Sequence, residues 1–206
     1  RVESYDVDVA MQEFPVASIM PGLGVGNVSA TAAVKGRGYN PMSPRTSIDA
    51  KIDVTAVEYQ KIVYSDIRAW AELDSGKVDA GVMSMNHDAN FDLTLTGALS
   101  ADSYEAQFEG DVRNLDLMGL KMSPTMSKGS FAISGNGRMV PKQNIIDADV
   151  KVTDLMWDMP DMSLSTPQID ASLASNDSTM TVKLQNESLN TILVAGCPLD
   201  SFTTRL

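Results

Sequence analysis

Apolar and polar residues alternate along most of this chain. Ile48, Ala50, Ile52 and Val54 are interleaved with Asp49, Lys51, Asp53 and Thr55. Ile67, Ala69, Ala71 and Leu73 alternate with Arg68, Trp70, Glu72 and Asp74. Phe91, Leu93, Leu95, Gly97 and Leu99 carry Asp92, Thr94 and Thr96 between them. The same pattern returns at 106–108, 131–135, 146–152, 169–173, 180–184 and 192–194. A period of two sends successive side chains to opposite faces of a strand. Each segment therefore predicts a strand with one apolar and one polar face, as in an antiparallel sheet that is dry on one side. Trp70 falls on the polar parity and is expected on the outer face. About twelve strands are predicted, and long amphipathic helices are absent.

Turn chemistry marks the joints. Asp74-Ser75-Gly76 suits a tight hairpin, with Ser175-Asn176-Asp177 as its later counterpart. Residues 86–90 and 186–188 mark further joints. The stretches 14–26 and 115–128 escape the alternation and contain Met, Gly and Pro. Each is predicted to be a loop or short helix closing one side of the sheet.

The landmarks recur. Ser4-Tyr5 returns as Ser103-Tyr104, Gly36-x-Gly38 as Gly135-x-Gly137, and Gly97 as Gly196, each 99 positions later. The segment 48–55 returns at 146–153, slipped by one. This ordering divides the chain into a first β repeat, 1–102, and a second, continuous with it, 103–206. The paired glycines suggest a bend that the fold requires. The expected architecture is all-β: an elongated, curled, mainly antiparallel sheet of two tandem repeats. It has an apolar concave face and one short loop or helix insertion per repeat.

Composition narrows the function. The 206 residues carry a net charge of −11 and no basic run, which argues against nucleic acid and against a bare anionic membrane surface. No apolar run is long enough to span a bilayer as a helix. The chain opens at Arg1, and a targeting signal or anchor is expected upstream of it. One cysteine, Cys197, precludes an internal disulfide and reads as a small buried apolar residue.

Catalytic chemistry is hard to assemble from these residues. The sole histidine, His87, lies in a polar turn, without the His or Cys companions a zinc site needs. No Gly-x-Ser-x-Gly elbow and no phosphate loop is present. The pairs Asp74/Asp79, Asp88/Asp92 and Asp147/Asp149 do not fit the calcium-loop spacing. The expectation is a non-enzyme without metal or cofactor. The 13 methionines suit either irregular core gaps or a deformable lining for an acyl chain.

Several of these residues carry a resemblance. The run Leu93-Thr94-Leu95-Thr96-Gly97-Ala98-Leu99 is followed by Tyr104-x-Ala106-x-Phe108-x-Gly110 and Leu115-Asp116-Leu117. Gly135-x-Gly137 and the strand 146–155 come next. This frame resembles the TamB/AsmA family of bacterial envelope proteins over nearly the whole chain. The resemblance implies an inner-membrane anchor outside this segment and a repetitive β region crossing the periplasm of a Gram-negative bacterium. It also implies an apolar groove linked to phospholipid traffic, and assembly of outer-membrane proteins with an outer-membrane barrel partner.

The leading expectation is a β groove that shields phospholipid acyl chains. Its lining, chosen by strand parity, is Ile52, Val54, Leu93, Leu95, Phe108, Phe131, Ile133, Val150, Val152, Leu173, Val182 and Val194. The alternatives are a structural module whose dry face is its core, and a chaperone-like module that takes up outer-membrane protein strands at a sheet edge.

Overall fold

The computed structural model describes residues 3–143, 145–175, 180–186 and 201–205. Their strands are β1 (Ser4–Pro15), β2 (Val25–Arg37), β3 (Ser47–Tyr59), β4 (Ile62–Tyr64), β5 (Ile67–Asp74), β6 (Lys77–Met85) and β7 (Ala89–Leu99). The chain continues with β8 (Tyr104–Asp116), β9 (Lys128–Val140), β10 (Ile145–Met159), β11 (Met162–Ser175), β12 (Met180–Gln185) and β13 (Ser201–Arg205). Twelve of them form one open antiparallel sheet in the order β1-β2-β3-β5-β6-β7-β8-β9-β10-β11-β12-β13, while β4 pairs with β3 beside it. Eleven inter-strand spacings of about 4.8 Å make the sheet roughly 53 Å wide. The alternating segments identified above fall inside these strands. The segment 192–194, Gly196 and Cys197 lie outside the described residues.

Among the described residues the sheet is a single layer. Element contacts are those of sheet neighbours, joined by a short helix, α1 (Val16–Ile19), against β2. Among the described residues, Ala30, Val112 and Leu120 are the buried apolar side chains. The accessible surface is 13514 Å², against about 9,300 Å² for a compact globule of this mass. Stability must come from the backbone ladders and from side-chain pairs across neighbouring strands rather than from a central core.

Local chemistry explains the joints. Ser75 (φ 51°) and Gly76 (φ 82°) are both left-handed, the geometry of a type I′ hairpin between β5 and β6. Gln60 (φ 51°) and Lys61 (φ 66°) make the β3–β4 turn in the same region without a glycine, a strain of about 1–2 kcal/mol per residue. Glu13 and Asp154, also at positive φ, sit where the registers of β1–β2 and β9–β10 shift.

The two irregular stretches resolve differently. Strands extend further into both than the alternation indicates. Between β1 and β2 lie α1 and a 3₁₀ turn, Pro21–Leu23. Between β8 and β9 the chain forms a compact loop, 117–127, with no helix. Asp116 Oδ1 accepts bonds from the N–H groups of Met118 and Gly119, at 3.0 and 2.9 Å, and Leu120 is buried beneath.

The glycines read as bends have another role. Gly36 and Gly135 lie in continuous ladder, opposite Tyr5 and Phe108. Gly129 faces Trp157, and Gly81 faces Trp70. In each case the aromatic ring occupies the space a Cβ would need. A Cβ on Gly135 would lie 2.6 Å from Phe108 Cζ and 2.5 Å from the Asp149 carbonyl. Packing a ring over a cross-strand glycine restores the contact the glycine lacks. Gly38 (φ 75°) instead ends β2 in a turn, where Tyr39 stacks on Tyr5 at 5.4 Å.

Candidate functional site

Strand pairing carries the sequence parity across the whole sheet. One register row reads Val7, Val34, Ala50, Ala71, Ala80, Leu95, Phe108, Gly135, Val150, Ala171, Leu184 and Phe202. Each residue is directly opposite the next, and the row crosses all twelve strands without a polar residue. An antiparallel pair places opposed residues on the same face, so the row from Val7 to Leu184 belongs to one face; the side chain of Phe202 lies outside the described residues.

The expected lining falls on this face. Leu95, Phe108 and Val150 belong to that row. Ile52, Leu93, Ile133 and Val152 share the next row, which runs from Val9 to Ile169. Val54 and Phe131 are joined through Ile67, Ser84, Phe91 and Val112. Leu173 is opposite Val182. The side chain of Val182 and all of Val194 lie outside the described residues. Ile52 and Leu95 are 44% and 38% exposed, so water reaches the middle of the apolar face.

The other face is polar. Its row beside Leu95 runs Lys51, Trp70, Gly81, Thr94, Glu109, Ser134, Lys151, Asp170 and Gln185. Trp70 thus lies on the polar side, with its indole over Gly81. Arg68 pairs with Asp53 at 3.2 Å and Lys35 with Asp6 at 3.4 Å. Both pairs are exposed, and such pairs contribute about 0–1 kcal/mol.

Hollows occur on both faces. Two, of about 700 and 660 Å³, lie over the polar face. They are lined by residues such as Thr96, Gln107, Asn136 and Arg138. The apolar face holds a smaller hollow of about 270 Å³ bordered by Val78, Leu95, Leu99, Tyr104, Met139 and Ile146, a little below the roughly 300–1,000 Å³ usual for small-molecule sites. Alternation could not have located these hollows, because parity assigns a residue to a face and carries nothing about the depth of that face.

His87 stands in the turn after β6. Its ring is exposed, with Nδ1 2.9 Å from Asp88 Oδ1. Asp74 pairs with Lys77, and Asp79 faces Glu72 across the ladder. Among the described residues, no group of three or more His, Cys, Asp or Glu has metal-binding geometry. No helix among them is long and apolar enough to cross a membrane. Lys142 Nζ lies 2.6 Å from Asp102 Oδ1. That hydrogen bond holds the Asp102 carboxyl below its usual range and the Lys142 ammonium above its own.

The chain matches no protein-family model, no curated protein and no solved structure.

Proposed function

We propose that this chain is a non-enzymatic β segment that shields phospholipid acyl chains along its apolar face. The observation that carries the reading is the unbroken apolar row across twelve strands, with no second layer packed over it among the described residues. Monomeric soluble proteins seldom leave so long an apolar surface uncovered unless it binds something. An acyl chain lying on it would leave water at about 0.8 kcal/mol per buried CH₂. Rows of similar side chains offer many near-equal positions, so a lipid can move along them without a deep trap.

Structural recurrence supports two tandem repeats within this surface. Asn86 Nδ2 donates to Ser65 Oγ at 3.4 Å, and Asn186 Nδ2 to Thr166 Oγ1 at 2.9 Å. Register shifts fall at Met11/Phe14 and again at Val112/Leu115. The copies are not identical in pairing. Tyr5 faces Gly36, whereas Tyr104 faces Met139. That difference is an even number of residues, so it preserves the face.

The resemblance to TamB/AsmA proteins adds the setting: a periplasmic section of a Gram-negative envelope protein carrying phospholipid between the two membranes, anchored and partnered through regions outside this segment. The chaperone-like alternative, with an outer-membrane barrel partner, draws on a different observation. β1 ends the sheet, with one side of its backbone unpaired by any described strand, and such an edge can accept a strand. Native mass spectrometry of the chain purified from a phospholipid-containing host separates the two. Bound phospholipid, lost on Leu95→Asp without loss of fold, is the expected result. A lipid-free parent that binds unfolded outer-membrane protein would overturn the cargo reading in favour of the alternative.

A further inference from the structure

The two ends of the strands differ in chemistry. At one end the chain turns through 38–46, 75–76, 100–103 and 141–143; at the other it turns through 16–24, 60–61, 86–88, 117–127 and 160–161. The second end is edged with exposed apolar side chains. Ile19, Met20 and Leu23 are 63%, 56% and 56% exposed, Val63 64%, Met118 47% and Met122 69%. The first end is built largely of short polar turns such as Ser75-Gly76 and Ser100–Ser103, cross-linked by Asp102 and Lys142. Among the described residues of its turns the exposed large apolar ones are Tyr39 and Met42, with Met139 on the adjoining strand at 39%, and Tyr39 already stacks on Tyr5.

We propose that the apolar end meets the surface of a zwitterionic phospholipid bilayer, with the loops 16–24 and 117–127 as separate points of insertion. Order supports this. The 117–127 loop is pinned by buried Leu120 and by the Asp116 carboxylate, so its methionines are held in water by a defined backbone. Loop 16–24 carries no charged side chain, and 117–127 carries only Lys121. Neither contains the Trp, Tyr or Arg that anchor protein interfaces. Methionine, isoleucine and leucine at narrow loop tips need only hydrocarbon, which the boundary between headgroups and acyl chains supplies. A net charge of −11 favours neutral over anionic headgroups. Six strand spacings, about 29 Å, separate the loops, a distance that makes each an independent contact.

This proposal does not require lipid cargo, and flotation of the whole chain with phosphatidylcholine vesicles tests it alone. The parent should float. Ile19→Ser/Leu23→Ser and Met118→Ser/Met122→Ser should each lower the bound fraction, and the four together should lower it at least about tenfold. Tyr39→Ser/Met42→Ser, at the opposite end, should stay within about twofold. Leu95→Asp should still float even where it has lost co-purified lipid, which separates failure of this proposal from failure of the cargo reading. Because the substituted side chains are exposed, melting temperatures should hold. As a second reading, Met122→Trp should be quenched by brominated phosphatidylcholine. A parent that does not float, rim variants that float as well as the parent, or an unquenched Met122→Trp would overturn the proposal. Loss of a parent dimer in the rim variants, without change in flotation, would assign the surface to a second copy instead.

Discussion

Thr94 and Leu95 are neighbours in one strand and belong to different environments. Leu95 joins an apolar row that crosses all twelve strands, while Thr94 lies among Gly81, Glu109 and Ser134 on the polar face. Hollows of about 700 and 660 Å³ lie over the polar face and one of about 270 Å³ on the apolar face. Side-chain parity decides which face is dry, and it does not decide which face is hollowed. The proposed lipid surface rests on dryness.

The largest expected effect tests this division directly. Leu95→Asp puts a carboxylate in the middle of the apolar row, where an acyl chain cannot solvate it. Phospholipid binding, measured by native mass spectrometry or displacement of a fluorescent fatty acid, should fall at least about tenfold. Thr94→Asp and Trp70→Ser, on the other face, should leave it within about twofold. Equal losses from both faces would break the comparison.

A smaller effect concerns the ring seats. Gly135→Ala, on the apolar face, sets a Cβ against the Asp149 carbonyl as well as the Phe108 ring. It should destabilise by about 1–3 kcal/mol in urea unfolding. Gly81→Ala, on the polar face, has its three nearest contacts with the Trp70 ring, a side chain that can rotate away, so its cost should be clearly less. The reverse order would show that the apolar face is the more yielding one.

Smaller again is the polar ion pair. Arg68→Met should shift stability by no more than about 1 kcal/mol, and the shift should shrink at high salt. The smallest effect lies outside both faces. The Asp102 carboxyl is held below its ordinary value of 3.8 by Lys142. Its contribution is complete above that value and is lost as pH falls through the depressed one. The Lys142 ammonium is raised above 10.5, so its contribution is complete below that pH and is lost as pH rises through the raised value. Lys142→Met should therefore leave the unfolding midpoint insensitive to pH across the neutral range and alter only its acid and alkaline limbs. A new pH dependence near neutrality would contradict that assignment.

Much of the fold was legible because parity is local. Ile48 to Val54, or Phe91 to Leu99, announces both a strand and its dry side without knowledge of any neighbour. Likewise Ser75-Gly76 announces its hairpin. That the described members of the proposed lining share one face was legible for the same reason, since antiparallel pairing propagates one parity from strand to strand. The Gln60-Lys61 turn was not legible, because neither residue favours positive φ and tertiary pairing of β3 with β4 imposes it. The use of Gly36 and Gly135 as seats for Tyr5 and Phe108 was also hidden. It depends on which residues face each other across a ladder, and that register has no signature in either strand alone. The hollows were illegible because residues from several strands line each of them at once, which the pattern of one strand does not record.

The order of the strands has one more consequence. Among the described strands, and apart from the step from β3 to β5 that passes over β4, every ladder joins neighbours in chain order. Closing each hairpin therefore brings together only nearby parts of the chain, and the entropy lost in loop closure stays small at every step. Such a sheet can assemble by adding one hairpin at a time to an existing edge, as repeat arrays do, with stability passed between nearest neighbours. It can also lengthen by duplication of a block of strands without rearranging those already present. An acyl-binding surface built in this way would grow in proportion to the number of strands, each new block extending the same apolar rows.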